Sequence, residues 1–252
     1  KPPVIKKLKV YSISNTTINQ KCSDQEFKLK KNLNIYQLLN DSTIKITGKF
    51  GLGLSTVDYY NKTYNKCGIY AMQVFVDQEL IFDHKINELD FETSSQINVY
   101  KDFNAYLNKR ESIHKAFIHP MNELSFYDRN LGNGIIFFED ADLHQVQIIV
   151  SDIKGNSSSI NFYVQNSSDF SCNEVNKLSK IDNQIETIFS EYSNWKVSFD
   201  STTFYDYQKV NLNIGKNDVM HLGSREIPVK EKFTIALKLD KAQEKFHNKL
   251  LL

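Results

Sequence analysis

Apolar and polar residues alternate along most of this chain, and the alternation constrains the fold more than any other feature of the sequence. Between residues 70 and 76 the apolar side chains recur at every second position. After the Asp77-Gln78 pair, which suits a tight turn, the same period resumes at Leu80 and Phe82. Side chains of a strand alternate between the two faces of a sheet, whereas those of a helix return every three to four residues. Residues 70–82 are therefore predicted to form a β-hairpin.

A second hairpin is predicted further along the chain. Residues 146–150 and 160–164 alternate in the same way, and Gly155 and Asn156 between them tolerate the positive φ of a turn. A buried strand, a Gly-Asn turn and a returning strand form the usual end of many immunoglobulin-like domains. The predicted fold class is therefore all-β, with an immunoglobulin-like β-sandwich over residues 1–165.

One segment departs from the period-two pattern. From residue 102 to residue 117 the apolar side chains fall at helical spacings with charges between them, and His119-Pro120 closes the run. This pattern predicts a short amphipathic helix inserted near residues 102–117. We expect the insertion to lie across one edge of the sandwich, where it would shield an exposed strand.

Polar residues dominate just after the predicted sandwich and indicate a linker at residues 166–173. Alternation then resumes in three further strands, which contain Trp195, Val210 and Phe233. Residues 174–252 are long enough for a second, smaller β-sandwich. The apolar last residues indicate that this second domain is cut short.

Charge and hydropathy exclude two classes of partner. The net charge is +1, and lysines are interspersed with acidic residues rather than collected in blocks. A basic groove for nucleic acid is therefore not expected. The longest apolar runs hold only a few residues, far short of the roughly 20 that a membrane-spanning helix needs.

The ends of the sequence and its three cysteines bear on the cellular compartment. The chain opens on Lys-Pro-Pro rather than on methionine and ends on three leucines, so we expect it to be a piece of a longer precursor. Cys22, Cys67 and Cys172 give an odd count without a C-x-x-C pair. A Cys22–Cys67 disulfide would fit an oxidising compartment, but the sequence leaves the pairing open. The wide spacing does not match the short ligand intervals of closed zinc sites.

A search for catalytic motifs points away from enzymatic chemistry in this chain. Gly51-Leu52-Gly53 lacks the third glycine and the helix of a dinucleotide fingerprint, and no G-x-S-x-G motif occurs. The six histidines are scattered singly. His114 and His119, the closest pair, match neither the i, i+4 nor the H-x-H spacing of zinc ligands. The prediction is that the chain contains no catalytic residue and no metal ligand.

Three tyrosines are the candidate contact residues. Tyr59, Tyr60 and Tyr64 lie near Asn61 and Asn65 in a polar stretch, where exposed rings would stack on sugars or on a partner protein. The alternative is that these aromatic side chains belong to the core.

A group of acidic residues suggests a second kind of site. Glu139, Asp140 and Asp142 would bind calcium together with backbone oxygens if the loop around them were suitably shaped. A solvated turn before the strand at Val146 is the favoured interpretation.

An ordered series of segments resembles a known family. These segments are residues 1–8, 65–70, 74–77, 89–93, 110–117, 122–125, 133–136 and 144–156. Together they look like the region downstream of the peptidase domain in lysostaphin-type (LytM-like) zinc metallopeptidases of Gram-negative envelopes. A weaker likeness continues at residues 227–230, while residues 89–98, which read LDFETSSQIN, depart from the stretch SFDETRYIN that is usual in the family.

The resemblance implies an exported accessory region of immunoglobulin-like domains, located in the periplasm or at the outer membrane. The family's zinc ligands lie in H-x-x-x-D and H-x-H motifs, and neither motif carries over to this sequence. No cofactor is therefore expected in this chain, and zinc would belong to a peptidase domain outside it.

The expected function is that of a non-catalytic scaffold or interaction segment. It would be accessory to a peptidoglycan-remodelling peptidase or a subunit of an outer-membrane protein assembly. Its partners would be an envelope protein complex or peptidoglycan, and not nucleic acid. One alternative is that the chain is part of an active zinc endopeptidase that cuts peptidoglycan, with the catalytic domain outside these residues. A second alternative is a surface carbohydrate-binding or adhesive module.

Overall fold

The chain forms two compact units, Lys1–Leu178 and Ser179–Leu252. The computed structural model describes residues 1–40, 43–59, 65–167, 172, 187–189, 195–200, 202–205, 210, 212–214 and 220–238. Strands account for 51% and helices for 9% of the structure, so the predicted all-β class is confirmed. The division between the units comes after the linker expected at residues 166–173.

The described residues of the first unit form ten strands and two short α-helices. Its elements are β1 (Val4–Ile18), β2 (Gln25–Asn32), β3 (Ile35–Leu38), β4 (Ile44–Tyr59), β5 (Lys66–Cys67), β6 (Ala71–Val76), β7 (Glu79–Lys85), α1 (Ile97–Tyr100), α2 (Phe103–Lys109), β8 (Ile113–Lys115), β9 (Leu143–Ser151) and β10 (Ser157–Asn166). Two 3₁₀ turns lie at Ser94–Gln96 and Arg129–Leu131.

The described strands of the second unit form two small antiparallel sheets. They are β11 (Thr187–Phe189), β12 (Trp195–Ser198), β13 (Leu212–Ile214), β14 (Met220–Leu222) and β15 (Thr234–Leu237). β12 pairs with β11 and β15, and β13 pairs with β14. Val197, Phe199, Phe204 and Val210 are buried together in this unit.

One sheet connects the ten strands described in the first unit. The main path runs β5-β4-β1-β2-β3-β10-β9-β6-β7, and β8 pairs with β4. A further pairing joins β4 to β10, so β4, β1, β2, β3 and β10 close into a five-stranded ring. The hydrophobic core of the first unit is almost fully buried; it includes Leu8, Val10, Leu52, Leu54, Val146, Ile148, Ile160 and Val164.

The direction of the closing pair requires a bend in the ribbon of β1 and β4. β1 runs antiparallel to β4, whereas β10 runs parallel to both β3 and β4. Straight strands would not allow this combination, because β10 would then meet β4 antiparallel. The register of β1 against β4 shifts twice between Ser12 and Thr17, and Gly48 opposite has φ +70°. A Cβ at Gly48 would collide with the carbonyl oxygen of Asn15, so glycine is what permits the bend.

Both predicted hairpins are confirmed. Asp77 and Gln78 connect β6 and β7 with φ values of 48° and 72°, as a tight turn of primed type requires. Asp152 organises the turn between β9 and β10: its Oδ1 accepts hydrogen bonds from the backbone N–H groups of Lys154 and Asn156 at 2.8 and 2.9 Å. The predicted positive φ occurs at Gly155, at 79°.

The inserted helix is shorter than predicted. α2 begins after Asp102, whose Oδ1 accepts a hydrogen bond from the Ala105 N–H at 2.9 Å, and ends at Arg110 in the left-handed conformation. The prediction of a helix to residue 117 is wrong, because Ile113–Lys115 forms β8 and pairs with β4. The spacing of Ile113 fits a helix as well as a strand, but burial in the sheet decides in favour of the strand.

Ionic contacts attach α2 to the sheet. Lys9 Nζ donates to Asp102 Oδ2 at 2.6 Å, and Tyr11 Oη donates to the same oxygen at 2.9 Å. Lys7 bridges Glu26 of β2 and Glu111 after the helix, at 2.9 Å in each case. Burial raises the pKa of Asp102, but the hydrogen bonds and charge of Lys9 outweigh that effect, so the pKa lies below its usual value. The carboxylate is therefore charged in the fold.

A disulfide joins Cys22 to Cys172, with the two Cα atoms 5.8 Å apart. The Cys22–Cys67 disulfide, one of the pairings that the sequence leaves open, is therefore not formed. Cys67 of β5 pairs with Asp58 of β4, near the end of the β1–β4 ribbon where Val4 pairs with Val57. Cys22 follows the other end of β1, so the length of a 15-residue strand separates the two positions. Cys67 is exposed and free.

Candidate functional site

The predicted contact tyrosines lie around the hairpin of β4 and β5. Tyr59 is half-buried at the end of β4 and pairs with Lys66 across the ladder. Tyr60 and Tyr64 lie outside the described residues. Their role in a partner or glycan contact therefore stays a prediction.

His144 organises the acidic segment before β9. Its Nδ1 contacts Asp77 Oδ2 at 2.7 Å and its Nε2 contacts Asp140 Oδ1 at 2.9 Å. The Phe138 ring stacks on the imidazole with centroids 3.7 Å apart. Asp140 Oδ1 also accepts the backbone N–H of Asp142 at 2.9 Å, as in the favoured solvated turn. We refer to Asp77, His144 and Asp140 as the histidine clamp.

Both carboxylates favour the charged imidazolium. Partial burial lowers the pKa of His144, but the hydrogen bonds and charges of Asp77 and Asp140 outweigh it and hold the pKa above its usual value. The hydrogen bond from His144, followed by that from the Gln145 backbone, lowers the pKa of Asp77. Both ring nitrogens are engaged, so the imidazole has no nitrogen left to take a proton from a substrate. The clamp joins the β6–β7 turn to the start of β9.

A second histidine cluster is buried inside the first unit. The Tyr100 hydroxyl of α1 lies 3.0 Å from His84 Nε2 of β7 and 2.9 Å from His114 Nδ1 of β8. His114 Nε2 lies 3.3 Å from the Ser112 hydroxyl. The three aromatic side chains are each 1% exposed. We call this chain of hydrogen bonds the buried relay.

Hydrogen-bond satisfaction assigns the protons of the buried relay. His84 Nδ1 is buried without a partner among the described residues. An unpaired N–H donor is costlier there than a bare acceptor, so the proton of His84 belongs on Nε2 and is donated to the Tyr100 oxygen. Tyr100 then donates to His114 Nδ1, and His114 Nε2–H donates to Ser112.

All members of the buried relay are neutral at physiological pH. Burial lowers the pKa of His84 to about 3. Burial, and then the charge of Lys101, lowers the pKa of His114 well below its usual value. Burial also raises the pKa of Tyr100 well above its usual value. The relay ties β7, α1 and β8 together and is closed to a substrate, because its reactive atoms are covered.

The outer face of β6, β9 and β10 carries amides between two aromatic rings. Phe75, Gln147 and Asn161 are direct cross-strand neighbours, and the Gln147 Nε2 donates to Asn161 Oδ1 at 2.9 Å. In the next row Gln145 opposes Tyr163. A shallow concavity is lined by Phe75, Gln145 and Gln147 together with the turn residue Gln78. We call this surface the amide face.

Sequence reasoning missed both the amide face and the buried relay. The alternation that placed Val146, Ile148 and Val150 in the core also assigned Gln145 and Gln147 to the outer surface, so that signal was available. The relay gave no local signal, because its members lie on three elements that are distant in sequence.

Neither a metal centre nor a membrane helix is seen in the part of the chain that the structure describes. Among those residues no three His, Cys, Asp or Glu side chains converge in a metal-binding arrangement. No helix there is long and apolar enough to cross a membrane. Comparison with known proteins finds no matching family model, no matching curated protein and no matching solved structure.

Proposed function

We propose that this chain is a non-catalytic interaction segment of an exported cell-envelope protein, accessory to a peptidoglycan-remodelling peptidase. The observation that carries the proposal is the Cys22–Cys172 disulfide. Such bonds persist in exported proteins and are rare where cellular thiols are kept reduced. The family resemblance of the sequence supports the same compartment, in the periplasm or at the outer membrane.

The strand order supports an immunoglobulin-like sandwich as the core of the first unit. The order β10-β9-β6-β7 corresponds to strands G, F, C and C′ of that fold, and β1-β4-β8 corresponds to A, B and E. In this proposal β2 and β3 are an addition that joins the two sheets at one side. The ring of five strands is then the consequence of that addition.

The chemistry of the described side chains favours binding over catalysis. His144 is held between two carboxylates, and the buried relay has no access for a substrate. The amide face, in contrast, presents polar and aromatic groups to solvent. Contact through a preformed surface needs no nucleophile or general base, so this arrangement suits a module that positions a neighbouring domain.

Thiol trapping in the cell that makes the protein tests the export proposal. Cells are quenched in acid, and the thiols are labelled with a polyethylene glycol maleimide before and after reduction. We expect one labelled cysteine, Cys67, before reduction and three afterwards, with the protein in the envelope fraction. Recovery from the cytosol with three reactive thiols would refute the proposal.

The accessory role is tested on the precursor. A β-rich peptidase domain with H-x-x-x-D and H-x-H motifs upstream of Lys1 is expected. An upstream region without such a domain would separate the chain from peptidoglycan peptidases and leave the envelope location to be judged by the thiol experiment alone.

A further inference from the structure

We infer that the amide face binds an uncharged, hydroxyl-rich polysaccharide chain. The inference rests on the proposed function, since it names the partner of an exported interaction segment. It assigns the contact to Phe75, Gln145, Gln147, Asn161 and Tyr163.

The backbone beneath the amide face cannot provide the recognition. β9 is hydrogen-bonded to β10 along one edge and to β6 along the other. A peptide that adds a strand needs an open edge, and the centre of this face has none. A ligand here must therefore be recognised by side chains that project from the sheet.

The side chains offer the hydrogen bonds that sugar hydroxyls use. Each carboxamide carries two N–H donors and a carbonyl acceptor, and a hydroxyl group also both donates and accepts. The bond from Gln147 to Asn161 orients two of these amides while leaving each with further capacity. Gln78 and Gln145 are exposed beside them. The result is a row of amides on this face, two of which are oriented by their mutual hydrogen bond.

Two aromatic rings flank the amides at a spacing that suits a sugar chain. Tyr163 is 47% exposed and Phe75 is half-buried. The rings are two strands apart and offset by two residues along the strand, which gives a separation of about 12 Å. That distance is of the order of a disaccharide repeat, so both rings can pack against the C–H faces of sugars in one chain.

The charge of the surface favours an uncharged ligand. None of the five contact residues is an acidic or basic residue, and in the nearby histidine clamp one imidazolium faces two carboxylates, which leaves a net charge of −1. A nucleic acid would need lysine or arginine to contact its phosphates. The centre of a stable protein interface is usually apolar, whereas here amides occupy the centre.

Titration of the whole chain with cellopentaose and chitopentaose tests the inference. Binding is followed by isothermal calorimetry and by ¹⁵N-resolved NMR of the side-chain amides. We expect saturable binding of at least one oligosaccharide, with the largest shifts at Gln145, Gln147 and Asn161. Tyr163→Ala should weaken binding about tenfold, through loss of a stacked ring.

Matched controls separate the amide face from general effects. Tyr106→Ala removes a tyrosine on α2 with the same 47% exposure, and Gln37→Ala removes an exposed amide on β3. Both controls should bind like the unmodified chain. Because the NMR map uses the unmodified chain, the result does not depend on the folding of any variant.

Three outcomes would overturn the inference: no binding of either sugar, equal weakening by the controls, or shifts that map to a different surface. An oxidised, envelope-located protein that binds neither sugar would leave the proposed function standing and remove only its glycan partner. A reduced cytosolic protein that still binds sugar through this face would refute the proposed function and leave the amide face as a glycan-binding surface.

Discussion

Removal of the Cys22–Cys172 disulfide should destabilise the first unit by several kilocalories per mole. The bond joins residues 150 positions apart, for which the chain-entropy relation gives about 5 kcal/mol at 25 °C. Removal of native disulfides from small exported domains costs about 2–5 kcal/mol. We therefore expect the Cys22→Ser/Cys172→Ser variant to lose about 3–5 kcal/mol, because its unfolded state is no longer constrained.

Urea denaturation measures this loss and offers an internal reference. With an m-value of about 2 kcal/mol/M, the midpoint of the far-ultraviolet circular dichroism transition should fall by about 2 M. Trp195 is the single tryptophan and lies in the second unit, so its fluorescence follows that unit separately.

Cys67→Ser is the matched control, since it removes an exposed, free thiol. Its midpoint should equal that of the unmodified chain. An unchanged midpoint in the double variant, or an equal fall in the Cys67 control, would refute the assignment of the bond.

Three further predictions concern the polar clusters. Asp102→Ala should destabilise the first unit by about 3 kcal/mol, because the N-cap of α2 is lost and Lys9 loses its closest carboxylate. Asp102→Asn keeps the cap and should destabilise the unit less. Urea denaturation measures both losses. Tyr100→Phe removes the hydroxyl between His84 and His114 and should cost about 1–3 kcal/mol, measured in the same way, while Tyr106→Phe should cost nothing. The histidine clamp should stabilise the fold only over a window of pH. The raised pKa of His144 means that its contribution is fully present below its unfolded pKa and is lost as pH rises through the folded pKa. The lowered pKa values of Asp77 and Asp140 mean that their contribution is lost as pH falls through the folded pKa. His144→Gln should therefore make the urea midpoint depend less on pH across this window. A pH dependence of the midpoint equal to that of the unmodified chain would contradict this prediction.

Alternation and turn residues predicted those parts of the fold in which segments adjacent in sequence pair with each other. The hairpins of β6 with β7 and of β9 with β10 join neighbouring segments, so alternation and turn residues were enough to find them. The ring was not foreseeable in this way, since Ile44 pairs with Val164 across most of the first unit. Nothing in the residues around either position specifies a partner so far away.

The errors have separable physical causes. The predicted helix over residues 102–117 is too long because Ile113 and Phe117 satisfy a helical spacing, while pairing with β4 makes Ile113–Lys115 a strand. The Cys22–Cys67 disulfide, which the sequence leaves as one open pairing, does not form because the long ribbon of β1 and β4 holds those cysteines near opposite ends. Each depends on tertiary structure that a window of neighbouring residues does not contain.

The five-stranded ring also dictates an order of assembly. β10 comes last in sequence among the described strands of the first unit and contributes both closing pairs, one to β3 and one to β4. A chain that emerges from a translocation channel with its N-terminus first can form the ribbon of β1 with β4 early, but that ribbon has no strand to close on until residue 157 and beyond have passed. Contacts between such distant segments form slowly. For the exported protein proposed above, the first unit would therefore complete its fold late, and the chain would stay unfolded for most of its passage through the channel.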